Sequence, residues 1–192
     1  MNANNLIEIR KKLQKNLDEK RYEHTLGVAY TAAALAMRYN GSVYQAQLAG
    51  LLHDCAKCLS LEKMVSICKK NQLSVTELEK TKASLLHSKV GSFLAEQEYE
   101  VSEPEVLNAI MYHTTGRPGM SLLEKIIFVA DYIEPGRTSA PNLQEIRRLA
   151  FVNLEQAMIQ ILQDTLSYLN ESDGEINPMT ARTYAYYCEE MD

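Results

Sequence analysis

The amino-acid sequence predicts an all-α fold, a single helical bundle, and three observations lead to that class. Apolar residues recur at steps of three and four positions along nearly the whole chain, as on the buried face of an α-helix. No segment of four to eight residues alternates between apolar and polar side chains as a strand does. Serine stands three positions before Glu or Gln in four capping-box patterns typical of helix starts: Ser42/Gln45, Ser74/Glu77, Ser102/Glu105 and Ser121/Glu124.

Gly and Pro residues divide this helical pattern into segments. Both residues favour turns, because Gly tolerates a positive φ and Pro cannot continue the hydrogen-bond ladder of a helix. The predicted helix ends lie at Asn40-Gly41 and at residues 115–119, 134–136 and 172–174.

Two asparagines predict further helix starts. Asn142 can cap a helix with its side chain, and Asn177 precedes Pro178, a residue favoured at the first helical position. The apolar stripe from Leu143 to Tyr168 predicts a packing helix rather than a ligand site. In chain order, the predicted helices cover residues 4–18, 21–39, 43–54, 61–70, 75–80, 83–98, 103–113, 122–133, 143–169 and 178–190.

The composition is that of a folded globular domain. With 46% apolar and 23% charged residues, the chain is unlike disordered, collagen-like and disulfide-dense proteins. The net charge of −5 argues against a sequence-independent nucleic-acid binder, so no nucleic-acid partner is expected. We expect residues 1–192 to form one domain, with a core of about 18–137 and C-terminal helices 142–190 packing on it.

The sequence also predicts where the protein acts. The first twenty residues carry charges throughout and have no apolar secretory core, and no stretch has the length and apolarity of a membrane span. A cytoplasmic protein without a membrane partner is therefore expected. Cys55 and Cys58 form a Cys-x-x-Cys pair, but no second pair with zinc-ribbon spacing exists, so we expect reduced thiols without a metal.

His53 and Asp54 follow a mostly apolar helical run, residues 46–52, and should therefore lie at the inner end of a buried helix. Burying a carboxylate costs several kcal/mol unless charges or hydrogen-bond donors compensate it. The pair could be satisfied by backbone groups and water. Alternatively, a metal ion could compensate the carboxylate and take the imidazole as a ligand.

The remaining histidines favour the metal site. His24, His87 and His113 lie on apolar helix faces, and Asp131 follows an apolar helical run. One histidine of this kind is more often a core residue than a ligand. Together with the His-Asp pair, however, they spread over five helices of one bundle, and helical bundles build metal sites from inward side chains.

This order of His and Asp residues resembles that of the HD-domain metal-dependent phosphohydrolases, and several segments are similar to the YqeK family in particular. These segments are residues 21–25, 52–57, 113–116 and 128–137, the last reading Phe-Val-Ala-Asp-Tyr-Ile-Glu-Pro-Gly-Arg. That family is described as symmetrical bis(5'-nucleosyl)-tetraphosphatases, which convert diadenosine tetraphosphate to two ADP. The resemblance extends over about residues 5–190, and it implies a single HD-domain helical bundle.

The resemblance further implies a role for each residue of the site. His24, His53, Asp54 and Asp131 would hold one metal ion, iron by expectation, and the absence of thiolate ligands leaves manganese open. His87 and His113 would ligate a second metal, with Asp54 bridging, or would contact phosphate. The expected catalytic residues are Asp54, His87, His113 and Arg137.

Cationic and hydroxyl side chains near these ligands predict the phosphate contacts. Arg21 lies one helical turn before His24, and Lys57 and Arg137 follow the aspartates closely, although each could be a solvated surface charge. The start of the last helix offers a positive dipole end for a phosphate or a ribose. The expected substrate-binding residues are Arg21, His24, Asp54, Lys57, His87, His113, Thr114, Asp131, Arg137, Asn177, Pro178 and Arg182.

The expected reaction is symmetrical hydrolysis of a dinucleoside tetraphosphate by a metal-activated water, with ADP as product. Two alternatives stay open at this point. The chain could be another HD phosphohydrolase, such as a nucleotidase or a cyclic-nucleotide phosphodiesterase. It could also be a nucleotide-sensing module that does not catalyse. Exposed apolar faces are compatible with a homodimer.

Overall fold

The computed structural model describes residues 3–172 and 175–189. Within these ranges the chain forms eleven helices and no strand, which confirms the predicted all-α class. The predicted domain, the turn at 172–174 and the last helix at 178–190 each include residues outside the described ranges, namely 1–2, 173–174 and 190–192. None of the described helices combines the length and the apolarity that crossing a membrane requires.

The helices follow one another with short connections. They are α1 (Ala3–Asn16), α2 (Glu19–Arg38), α3 (Val43–Leu52), α4 (Leu61–Lys70), α5 (Glu77–Thr81), α6 (Ala83–Tyr99), α7 (Pro104–Tyr112), α8 (Leu122–Ile133), α9 (Leu143–Ala150), α10 (Leu154–Glu171) and α11 (Pro178–Glu189).

Helix α8 is the centre of the bundle. It packs against α2, α3, α7, α9 and α10. Eight of its twelve residues are buried, Ile126, Ile127 and Val129 among them, because several helices pack against its apolar surface.

A close approach of α2 and α3 brings two parts of that site together. A Cβ atom added at Gly50 in α3 would lie only 2.7 Å from the Cα atom of Ala29 in α2, so only glycine fits at this crossing. This crossing brings the end of α3 close to the first half of α2, and the ring centroids of His53 and His24 are 5.4 Å apart.

The predicted helix starts are partly confirmed. The Ser42 and Ser121 hydroxyls cap α3 and α8 by accepting from backbone N–H groups. The Ser74 and Ser102 predictions are wrong. Helix α5 is capped two residues further on, by a reciprocal Thr76–Glu79 pair, and α7 begins at Pro104, whose fixed φ suits a first helical position.

The long helix predicted over 143–169 is wrong, because the structure divides it into α9 and α10. The break lies at residues 151–153, where Asn153 adopts an extended conformation and its side chain accepts from the Gln156 N–H. Asn142 does precede α9, but its side chain does not cap the helix. Its amide donates to the Asp164 carboxylate instead, at 3.0 and 3.1 Å, which ties α9 to α10.

Candidate metal centre

The structure brings all six predicted His and Asp ligands into one cluster. Two of them stand where helices end: His53 is the C-cap of α3 and His113 is the C-cap of α7. The others come from the turn after α3 and from the bodies of α2, α6 and α8. The six residues are His24, His53, Asp54, His87, His113 and Asp131.

The Asp54 carboxylate lies in the middle of the cluster, with imidazoles on both sides. Its Oδ1 atom is 3.1 Å from His87 Nε2 and 3.7 Å from His113 Nε2. Its Oδ2 atom is 3.4 Å from His53 Nε2 and 3.8 Å from His24 Nε2. One carboxylate oxygen therefore faces each pair of histidines, an arrangement that would allow Asp54 to bridge two ions.

Asp131 completes the cluster on the side of α8. Its Oδ1 atom lies 3.1 Å from His24 Nε2. The donor atoms of His24, His53 and Asp131 lie within 4.8 Å of one another, and those of His53, Asp54 and His113 do so as well. Both sets could surround a metal ion through imidazole nitrogen and carboxylate oxygen, the donors that suit iron and manganese.

Hydrogen bonds on the far side of each ring fix how the histidines point. His53 Nδ1 donates to the Gly50 carbonyl at 2.7 Å, and His113 Nδ1 donates to the Ile110 carbonyl at 2.7 Å. Because a carbonyl can only accept, Nδ1 carries the proton in both rings. The bare Nε2 lone pairs are thereby turned into the cluster, as in metal sites whose imidazoles are oriented by a hydrogen bond at the second nitrogen.

Glu134 orients the third imidazole, and sequence reasoning missed this residue. The buried carboxylate lies 3.1 Å from His24 Nδ1 through Oε1 and accepts from the Gly136 N–H at 2.6 Å through Oε2. A Cβ atom at Gly27 would lie only 2.4 Å from that Oε2 atom. The signal was the position of Glu134, three residues after Asp131, but its Pro-Gly sequel predicted only a helix end.

Three buried polar atoms of the cluster have no hydrogen-bond partner. They are His24 Nε2, His53 Nε2 and Asp54 Oδ1, which lie near each other without the geometry of a hydrogen bond. Leaving such atoms unsatisfied costs about 1–3 kcal/mol each, so a native structure retains them where a ligand completes them. Lone pairs that converge on one another fit a metal ion, and the residues present therefore suit the group.

The electrostatics of the cluster also favour a bound cation. Burial raises the pKa of Asp54, but the electrostatic interaction with His53 and the hydrogen-bonding contacts with His113, His53 and His87 outweigh it and hold the pKa well below its ordinary value. Burial likewise opposes ionisation of Asp131, yet the neighbouring His24 holds its pKa below the ordinary value. Two carboxylates thus remain ionised in the interior, where a cation compensates them best.

His87 differs from the other imidazoles of the cluster. Burial is the main cause that lowers its pKa to about 4, and electrostatic interactions with His113 and Lys57 add to the effect. The ring is therefore neutral at pH 7. Its Nε2 atom lies 3.1 Å from His113 Nε2, so these two rings share one side of the Asp54 carboxylate.

The predicted phosphate-binding side chains surround the cluster. Arg21 Nη1 donates to Asp54 Oδ2 at 2.6 Å, and Arg137 Nη2 donates to Asp131 Oδ1 at 3.0 Å. Lys57 Nζ lies 3.2 Å from a ring nitrogen of His87. These cations remain partly exposed, so an incoming anion can reach them.

Thr114 also lies at the cluster, with its hydroxyl 3.3 Å from His113 Nε2. The three predicted C-terminal residues lie apart from it. Asn177, Pro178 and Arg182 line a separate cavity of about 360 Å³, together with Thr115 and Tyr112. The Asn177 side chain accepts from the Met179 N–H at 2.8 Å, so it caps α11 as predicted.

A second, larger cavity borders the other side of the cluster. It encloses about 710 Å³ and is lined by one face of α2, including Arg21, His24 and Tyr30, and by the connection between α8 and α9, including Arg137 and Ser139. No sequence pattern indicates a cavity at this position. Its lining comes from two segments more than a hundred residues apart, which only the fold brings together.

The Cys-x-x-Cys pair takes no part in the cluster. The Cys55 thiol donates to the Gly91 carbonyl, whereas the Cys58 thiol donates to Asp18 Oδ2, so the two side chains have separate partners. Burial raises the pKa of Cys55 to about 12, which leaves the thiol protonated and a poor ligand.

The fold and the cluster together define a class of protein. The HD domain model matches residues 21–136, a span that contains all six clustered residues, and the chain belongs to the HD domain family. A crystal structure of a protein from Clostridium acetobutylicum, described as a predicted HD superfamily hydrolase involved in NAD metabolism, is similar throughout. It has a TM-score of 0.92 and 40% sequence identity over 96% of this chain and 97% of that one.

Two relatives have a more specific name. The chain is 41% identical over 172 residues to the symmetrical bis(5'-nucleosyl)-tetraphosphatase of Bacillus subtilis, which covers 90% of this chain and 91% of the relative. It is also 41% identical over 184 residues to the protein of the same name from Staphylococcus aureus, covering 94% of both. The similarity therefore reaches beyond the HD domain match into the C-terminal helices.

Proposed function

We propose that this protein hydrolyses symmetrical dinucleoside tetraphosphates, with diadenosine tetraphosphate as substrate and two ADP as products. The observation that carries the proposal is the cluster of four histidines and two aspartates, three of whose buried polar atoms have no hydrogen-bond partner. It occurs in a chain about 41% identical, over nine tenths of its length, to symmetrical bis(5'-nucleosyl)-tetraphosphatases.

In this proposal His24, His53, Asp54 and Asp131 hold one metal ion, which we take to be iron, with manganese as the substitute. His87 and His113 either ligate a second ion, with Asp54 as the bridge, or contact phosphate. The two faces of the Asp54 carboxylate, each turned to one pair of imidazoles, support both forms. A bound metal lowers the pKa of a coordinated water towards about 7 and neutralises phosphoryl charge.

The chain's own cations stabilise the charge that develops on the phosphates. Water attacks one inner phosphorus atom, a new P–O bond forms, and the bond from that phosphorus to the central bridging oxygen breaks. The bridging oxygen departs with the second ADP, and the surplus proton goes to solvent. Arg21, Lys57 and Arg137 lie where they can contact the polyphosphate, and Thr114 offers a hydroxyl.

One nucleoside end belongs in the smaller cavity. The Arg182 side chain and the start of α11, with Asn177 and Pro178, line it and can bind a ribose or a phosphate. The Thr183 hydroxyl lies 3.2 Å from the Thr115 carbonyl oxygen, so α11 is in contact with the segment that follows His113. A nucleotide here would thus extend from the cluster to the C-terminal helix.

We further propose that the helices function as one domain, with a core of about residues 18–137 and C-terminal helices from 142 onward packed on it. The contacts of α10 with α8, α9 and α11 support the packing of the C-terminal helices on the core. The protein would act in the cytoplasm, where thiols stay reduced and all four cysteines are free, without nucleic-acid or membrane partners. A homodimer could use the exposed side chains of Met37 and Val152.

The product analysis tests the reaction directly. Protein purified without oxygen is assayed for metal content, loaded with iron or manganese, and incubated with diadenosine tetraphosphate before the nucleotides are separated. We expect two ADP per substrate and one or two metal ions per chain. AMP plus ATP would contradict the symmetrical cleavage.

A panel of other substrates separates the alternatives. Preferential turnover of mononucleotides or cyclic nucleotides would make the chain another HD phosphohydrolase. Tight binding of ADP without any turnover, under reducing conditions and with metal added, would make it a nucleotide-sensing module.

A further inference from the structure

The four imidazoles form a row of successive ring contacts, and a different cavity lies next to each end of that row. Consecutive ring centroids are 5.4 Å apart from His24 to His53, 5.0 Å from His53 to His113 and 5.0 Å from His113 to His87. His24 lines the larger cavity, whereas the chain neighbours of His113 and His87 line the smaller one. No residue is common to the two linings in the part of the chain that the structure describes.

We propose that the larger cavity binds the second nucleoside diphosphate half of the substrate, with Tyr30 as the surface on which its base stacks. This inference rests on the proposed function. A symmetrical substrate is cut at its midpoint, so the midpoint must lie at the cluster and the two halves must extend away from it. A cavity at each end of the imidazole row meets that requirement.

The size of the larger cavity suits such an occupant. Small-molecule sites enclose about 300–1,000 Å³, and this cavity encloses about 710 Å³. It borders the cluster directly, because Arg21 and His24 belong both to its lining and to the contacts of Asp54. A phosphate chain can therefore pass from the cluster into the cavity without crossing a wall of apolar side chains.

The charges of the cavity are arranged for a phosphate chain that ends in a nucleoside. Arg21 and Arg137 stand at the cluster end, each paired with one of the clustered aspartates, where the phosphates would run. The hydroxyl residues Thr138 and Ser139 line the wall formed by the connection between α8 and α9, where a ribose can be bound. Tyr30 lies two turns beyond His24 along α2.

Tyr30 is held in place and yet remains open to a ligand. Arg10 Nη1 donates to its hydroxyl at 3.1 Å, and the Arg10 guanidinium lies 5.2 Å from the ring centroid. The residue is nevertheless 54% exposed. A fixed, exposed aromatic ring at the wall of a cavity offers a stacking surface, and stacking accepts any base because every base has a π-face.

The test compares two substrates that share the scissile bond but differ in the second nucleoside. Diadenosine tetraphosphate carries a nucleoside at both ends, whereas adenosine tetraphosphate carries one and would yield ADP and pyrophosphate. The ratio of kcat/KM for the two substrates measures what the second nucleoside contributes. We expect Tyr30→Ala to lower this ratio about tenfold, the size of one lost base–aromatic stack.

Two further variants control the measurement. Tyr30→Phe keeps the aromatic ring and should retain the wild-type ratio. Tyr168→Ala removes a tyrosine that is 63% exposed on α10 and lines neither cavity, and should leave the ratio unchanged. Binding of the analogue with a methylene group at the central bridge gives a second readout, and Tyr30→Ala should weaken it by the same factor.

The outcomes separate this inference from the proposed function. If the wild-type protein forms ADP from diadenosine tetraphosphate but shows no preference over adenosine tetraphosphate, or if Tyr30→Ala keeps the preference, the second subsite is wrong and the reaction stands. If the wild-type protein does not cleave diadenosine tetraphosphate, the proposed function is wrong, and the subsite with it.

Discussion

Two buried carboxylates in this molecule differ in whether their surroundings satisfy every hydrogen-bonding atom. Glu124 in α8 is 1% exposed, and Asp54 after α3 is 2% exposed. Arg117 Nε and Nη2 both donate to Glu124 at 2.7 Å, one bond to each oxygen. This pair is closed, because a fork of two donors satisfies the buried charge and leaves neither carboxylate oxygen without a donor.

Asp54 has more neighbours and yet remains open. Imidazoles surround it, and Arg21 donates to Oδ2, but Oδ1 and the Nε2 atoms of His24 and His53 lack hydrogen bonds. Packing alone would favour a closed pair like that of Glu124, so the open cluster reflects a requirement for a ligand. A buried charge with a structural role has all its polar atoms hydrogen-bonded, whereas one with a functional role leaves polar atoms without a partner.

The largest expected effect follows from removing the open charge. In Asp54→Asn the isosteric amide keeps the shape but loses the negative charge that both halves of the cluster share. We expect bound metal to fall to background and turnover to fall roughly 10³-fold or more, as when one member of a cooperating catalytic set is removed. Metal content by plasma mass spectrometry and the ADP assay measure the two effects.

Glu124→Gln is the matched control, since it also replaces a buried carboxylate with its amide. Its folded fraction should bind metal and turn over as the wild-type protein does. Wild-type metal content in Asp54→Asn, or metal loss in Glu124→Gln, would contradict the distinction between the open and the closed carboxylate.

A smaller loss of metal affinity is expected when Glu134 is replaced, because Glu134 acts through His24. In Glu134→Gln the side chain still offers His24 Nδ1 an acceptor oxygen, but it lacks the charge that makes the ring more basic. Loss of such a partner weakens metal binding about 10–100-fold. Competition with a chelator of known affinity measures the change.

Gly27→Ala reaches the same carboxylate by another route, because the added Cβ would lie 2.4 Å from Glu134 Oε2 and displace it. Both variants should therefore weaken metal binding. Glu155→Gln should not, because Glu155 lies at the part-exposed start of α10, where it pairs with Lys125. Wild-type affinity in both Glu134→Gln and Gly27→Ala would refute the positioning role of Glu134.

The sequence predicted the members of the open cluster but not the way they are held. His24, His53 and Asp131 could be identified because polar residues on apolar helix faces are rare and costly. Glu134 could not, since an acidic residue before Pro-Gly is ordinary at a helix end. Its role depends on a contact across 110 positions of the chain, which no local pattern encodes.

The fold class was likewise predictable from local sequence patterns, and the prediction was wrong where the structure depends on contacts or caps that those patterns do not show. Apolar periodicity indicates a helix wherever one face is buried, so the all-α class followed from it. The break at residues 151–153 was missed because the apolar stripe continues through it, while Asn153 caps a new helix. The larger cavity was missed because α2 and the connection after α8 meet only in the folded chain.

The smallest expected effect concerns the stability of the closed pair. Glu124→Gln leaves the Arg117 guanidinium without its counter-charge, and breaking a buried ion pair costs about 3–5 kcal/mol. The Arg117 side chain is a third exposed, so water compensates part of the loss, and we expect about 1–3 kcal/mol. Urea unfolding of the metal-free protein, followed by far-ultraviolet circular dichroism, measures the change.

Adding metal should separate the two carboxylate variants. The free energy of unfolding should rise in Glu124→Gln but not in Asp54→Asn, because only Glu124→Gln retains all the metal ligands. Equal gains in both variants would mean that the open cluster is not where the metal binds.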